Sequence, residues 1–137
     1  MNRLHHLKQT LVRNIRDNED YDKLAFILLD YNSNDGLSTY VYNELEEYLS
    51  NGRLKYFRTE EPVHYNMSDS RNIAFKLAKG EIVRNIDADT FTGRSFANYV
   101  NSVFQEHDRV FLNTHNNSMI KNDVLGRYAK KGTFSRS

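Results

Sequence analysis

The segment LAFILLD at 24–30 constrains this chain most. Residues 24–29 are apolar without interruption, and the run stops at Asp30. A strand with one wet face would alternate, and an amphipathic helix would insert polar positions. A short continuous run instead fits a strand covered on both faces, as in parallel sheets. Such a strand needs helices above and below it, so the rest of the chain is expected to supply them.

It supplies them in alternation. In LHHLKQTLVRNIRD, Leu4, Leu7, Leu11 and Ile15 recur every three or four residues, which predicts an amphipathic helix over 4–17. YNSNDG at 31–36 is a turn cluster. A second helix is expected over 37–50, ended by Asn51-Gly52, and a short strand over 54–57. The loop TEEPVHYNM follows with Pro62. A third helix spans 68–79, with Ser68 as its N-cap and Gly80 as its stop. EIVRNI at 81–86 reads as a third strand, 94–107 as a fourth helix and RVFLN at 109–113 as a fourth strand. Residues 113–137 read as an irregular tail, with one short strand around 124–128. The expected architecture is a single α/β domain over 1–137, with three α/β/α layers and a mostly parallel central sheet.

Charge narrows the function. Lys and Arg number 19 against 18 Asp and Glu, a net charge of +1. That balance argues against a dedicated nucleic-acid binder, which carries a basic excess. Without cysteine there is neither a disulfide framework nor a thiolate metal site. MNRLHHLKQTL lacks the apolar centre of a signal peptide, and LAFILL is too short to cross a bilayer. A soluble, cytoplasmic protein is expected, with peripheral membrane attachment left open.

The polar sequence NIDADTFTG at 85–93 carries the candidate chemistry. Asp87 and Asp89 flank one alanine where a strand is expected to end. Asp is a common turn former there. In open α/β sheets, however, ligands bind at the carboxyl ends of the strands, where Asp30 also belongs. Hard divalent cations, Mn2+ or Mg2+, take oxygen ligands from one or two carboxylates together with substrate phosphates. His5 and His6 are adjacent on a helix and cannot easily share one metal.

LLDYNSNDG at 28–36 and SDSRNIAFKLAKGEIVRNIDADT at 68–90, with the spacing between them, resemble the nucleotide-binding part of family 2 glycosyltransferases of the GT-A fold. The most specific stretch is SRNIAFKLAKGEIVRNIDAD, where several features of that family follow in order. The resemblance implies transfer of a sugar from a nucleotide-diphosphate sugar, a UDP-sugar first of all, to the hydroxyl of a carbohydrate or lipid-linked acceptor. It implies that Asp30 contacts the base, that Arg71 sits near the donor phosphates, that Asp87 lies close to the ribose or donor sugar, and that Asp89 binds the metal. A guanidinium suits the phosphate role, being always charged and able to grip two oxygens. Tyr31 is a turn-edge residue within reach of a base, and His115 is a further candidate ligand. The resemblance also implies a strand ahead of Met1 and a catalytic base beyond the chain, so the domain looks incomplete at both ends and no residue is assigned as the base. Polysaccharide biosynthesis is the natural setting, and homo-oligomerisation is left open. Two other readings stand beside this one. A catalytically incomplete nucleotide-binding or assembly module would bind donor without turnover. A haloacid-dehalogenase-like phosphatase also uses Asp-x-Asp, but on its first strand, and expects Thr or Val where Phe91 stands.

Overall fold

A computed structural model describes residues 1–107. The expected strand at 109–113, the tail after it and His115 lie outside the described residues. The described part runs α1 (Leu4–Asp17), β1 (Phe26–Tyr31), α2 (Leu37–Glu44), α3 (Glu46–Ser50), β2 (Leu54–Thr59), α4 (Met67–Leu77) and α5 (Phe96–Glu106).

The two strands pair in parallel, with Phe26 opposite Leu54, Asp30 opposite Arg58 and Tyr31 opposite Thr59. Alternate residues of a strand share a face. Phe26 and Leu28 pack with Leu54 and Tyr56 against Leu7, Leu11 and Ile15 of α1 and Leu37, Tyr40 and Val41 of α2. Tyr31 belongs to the opposite face, where its hydroxyl bonds Asp69 of α4. Helices therefore cover both faces of the sheet, as the uninterrupted apolar run required. The core centres on Ile15, Val41, Leu45 and Leu54, each no more than 1% exposed. Burying each such side chain contributes roughly 1.5–3 kcal/mol.

The expected helix over 37–50 is two helices. The chain breaks at Leu45, whose φ of −119° and ψ of 18° leave the helical region. Apolar spacing continues through the break in Leu45, Tyr48 and Leu49, so nothing in the pattern marks it. The N-cap of α4 is Asn66, not Ser68: the Asn66 side chain accepts from the Asp69 amide. Helix α2 opens at Gly36, whose φ of +84° disfavours a side chain.

The largest correction concerns EIVRNI. Residues 81–86 form no strand. They line a slot of about 680 Å³ whose lining also includes Phe26, Ile27 and Leu28 of β1. A strand exists only through backbone bonds to a neighbour, and this segment pairs with neither β1 nor β2. For the same reason β1 is less covered than expected, with Phe26–Leu29 only half-buried.

Candidate donor-binding site

Both strands end at one edge of the sheet, where Asp30 stands and where Tyr31 meets Asp69 near the start of α4. The candidate residues fall into two groups of opposite character.

Asp30 is fully buried. Its Oδ2 accepts from the Tyr56 hydroxyl and from Arg58 Nη1, each at 2.7 Å. Its Oδ1 accepts the Ser33 amide at 2.8 Å and so closes the turn after β1. The parallel register produces this arrangement: Arg58 is the cross-strand partner of Asp30, and Tyr56 is the diagonal one. Burial pushes the Asp30 carboxyl up, but the bonds from Tyr56 and Ser33 and the Arg58 charge outweigh it and hold the group below its usual range. A base could reach this carboxylate only by displacing Tyr56 or Arg58.

The Asp-x-Asp loop is open instead. Arg71 Nη2 donates to Asp87 Oδ1 at 3.1 Å, as does the Asn85 side-chain amide. Both partners of the ion pair are accessible, the side chains being 39% and 62% exposed. Such a pair adds little stability, but it leaves a guanidinium and a carboxylate facing solvent together. Asp89 is exposed and makes no hydrogen bond or ion pair among the described residues. The structure thus joins Arg71 to Asp87 and leaves Asp89 free beside them, while Asp30 bonds to none of the three.

The loop is open but not loose. Thr10 and Asn14 on α1 and Asn18 at its C-cap stand four residues apart and are all buried. The Thr10 hydroxyl donates to the Ala88 carbonyl at 2.7 Å. The Asn14 side chain donates to the Thr90 carbonyl and accepts the Thr92 amide, at 2.8 and 2.9 Å. The Asn18 Oδ1 accepts the Ala97 amide at 2.7 Å and so caps α5, whose own N-cap Ser95 has no capping side chain. Three polar side chains of α1 and its C-cap thereby fix the loop from 88 to 97. Sequence reasoning took α1 as a support for the sheet and missed this stripe. Its signal was present in the spacing, because Thr10, Asn14 and Asn18 repeat every helical turn beside the apolar stripe.

Tyr31 is 4% exposed and is not a free turn-edge residue. Its hydroxyl donates to Asp69 Oδ2 at 2.6 Å, and that bond, with burial, pushes the phenol up to about 12. Asp35 also serves the fold, accepting the Leu4 amide at the start of α1.

No three carboxylates or imidazoles converge on one point among the described residues. The residues present fit a different kind of cation site. One unengaged carboxylate, Asp89, suits a Mn2+ or Mg2+ ion that brings most of its ligands with it as diphosphate oxygens and water.

Helices on both faces of a parallel strand pair define an open α/β protein. The sequence model described as Glycosyl transferase family 2 matches residues 1–127. This chain belongs to the family 2 glycosyltransferases, enzymes of the GT-A fold that transfer a sugar from an activated donor. Neither the curated proteins nor the solved structures yield a match.

Proposed function

We propose that the donor is a nucleotide-diphosphate sugar, a UDP-sugar first of all, held by the Asp-x-Asp loop with a divalent cation. The observation that carries this reading is the exposed Arg71–Asp87 pair beside the unengaged Asp89, on a loop pinned from below by α1. In this reading Arg71 grips diphosphate oxygens, Asp87 orients Arg71 and accepts a sugar hydroxyl, and Asp89 holds the cation. A divalent cation, Mn2+ or Mg2+, supplies positive charge against the negative charge that develops on the departing diphosphate. Asp30 we assign to the frame rather than to the base: it shapes the turn that borders the site. The acceptor is a hydroxyl of a carbohydrate or lipid-linked saccharide, in polysaccharide synthesis on the cytoplasmic side of a membrane. Among the described residues no helix is long and apolar enough to cross one.

Calorimetric titration of UDP, with manganese and then with chelator, tests the reading. Manganese-dependent binding that Asp89→Asn abolishes is the expected result. Equal binding by the wild type and Asp89→Asn would remove the role given to Asp89, and no binding by the wild type would remove the donor reading altogether.

A further inference from the structure

The loop between β2 and α4 stands at the same edge of the sheet and carries side chains that the fold leaves uncovered. Tyr65 is 56% exposed, and its neighbours Val63 and Met67 are 79% and 51% exposed. Exposed apolar side chains are ordinary when scattered. Three within five residues, beside a charged ligand edge, are not scattered.

Tyr65 is also held in place. Its ring meets the Tyr31 ring edge-to-face, with centroids 6.0 Å apart and planes at 87°. Tyr31 is itself fixed by burial and by its bond to Asp69. The loop is tied at both sides of Tyr65: the Asn32 side-chain amide donates to the Pro62 carbonyl at 2.9 Å, and Asn66 caps α4. In an edge-to-face pair a ring uses either one edge or one face, so Tyr65 keeps at least one face clear of Tyr31. A flat, fixed and accessible aromatic face is a stacking platform for another flat ring.

Asp69, which anchors Tyr31, lies two residues before Arg71 on α4, a rise of about 3 Å. The N-terminal half of α4 thus carries both Asp69, which holds Tyr31, and Arg71, which holds Asp87. They offer separate places for the two unlike parts of a nucleotide, a cationic one for its phosphates and an aromatic one for its base.

We infer that Tyr65 is the base-stacking residue of the donor site, with Tyr31 as its buttress. The inference rests on the donor reading above. It assigns Tyr65 to base affinity, not to phosphate or metal binding.

Two probes separate these possibilities: UDP, and inorganic pyrophosphate, which has the charge without the base. Both are titrated with manganese into the wild type, Tyr65→Ala and Tyr65→Phe. Tyr65→Ala should weaken UDP binding by about tenfold or more, in line with the measured worth of one aromatic–base stack. Pyrophosphate binding should stay at the wild-type value, and Tyr65→Phe should bind UDP as the wild type does. Unchanged UDP binding by Tyr65→Ala would overturn the assignment while leaving the donor reading intact. Equal losses for UDP and pyrophosphate would also overturn it, by showing that the substitution disturbs the loop. A wild type that binds pyrophosphate no more weakly than UDP would show that no base is recognised, and one that binds neither probe would overturn both readings.

Discussion

Two acidic positions of the molecule behave in opposite ways. Asp30 is sealed under Tyr56, Arg58 and Ser33, with both carboxylate oxygens engaged. Asp87 and Asp89 face solvent, one sharing an oxygen with Arg71 and the other unengaged. In sequence the two positions look alike, each an Asp where an apolar segment gives way to a polar turn. The difference lies in what stands opposite. Asp30 sits on a paired strand, and its neighbour strand presents an arginine and a tyrosine in register. The segment before Asp87 has no paired neighbour among the described residues, and no described strand covers its acids. A carboxylate becomes available to a ligand when the fold withholds partners from it.

The contrast can be broken by substitution. Asp30→Ala strands the Arg58 guanidinium and the Tyr56 hydroxyl, and should cost about 3 kcal/mol in urea unfolding. A loss no larger than that of a surface substitution would mean that the Asp30 cluster is not structural. Asn14→Ala removes the three bonds that tie the loop at Thr90 and Thr92, one donated and two accepted, and should cost about 2 kcal/mol. It should also weaken manganese-dependent UDP binding, although Asn14 has no assigned contact with the donor. Intact UDP affinity in a destabilised Asn14→Ala protein would show that the site does not depend on the α1 stripe.

Asp89→Asn and Arg71→Ala are expected to shift stability by no more than about 0.5 kcal/mol, as exposed positions do, while each weakens UDP binding. Comparable destabilisation by Asp89→Asn and Asp30→Ala would erase the distinction between the two regions. The smallest effect is on pH dependence. Asp30 titrates lower in the folded chain than unfolded, so its contribution is complete above the unfolded value of about 4 and fades as pH falls through the folded one. Wild-type stability should therefore fall more steeply than that of Asp30→Asn between about pH 5 and pH 3. Parallel curves for the two proteins would assign acid sensitivity to other carboxylates.

How much was legible follows from which interactions are local. Helix α1 was readable because Leu4, Leu7, Leu11 and Ile15 encode one face within fourteen residues. Strands β1 and β2 were readable from short apolar runs, to within two residues at each end. The failure at 81–86 came from treating β propensity as sufficient, when Ile82, Val83 and Ile86 satisfy the pattern and still lack a pairing neighbour among the described residues. The pairing of Arg71 with Asp87 joins residues 16 apart, and the α1 bonds to the loop span 76 to 78. No local pattern reports contacts at that separation.

By itself, then, the sequence determined helix α1, strands β1 and β2, the family and the residue types of the candidate acids and arginine. Those properties depend on residue type and short-range spacing. Only the tertiary structure decided which acids are sealed and which are open, that α1 holds the loop through Thr10, Asn14 and Asn18, and that Tyr65 stands uncovered beside Tyr31. Burial and hydrogen bonding between distant segments are set by strand register and helix packing, and these exist only once the chain has folded.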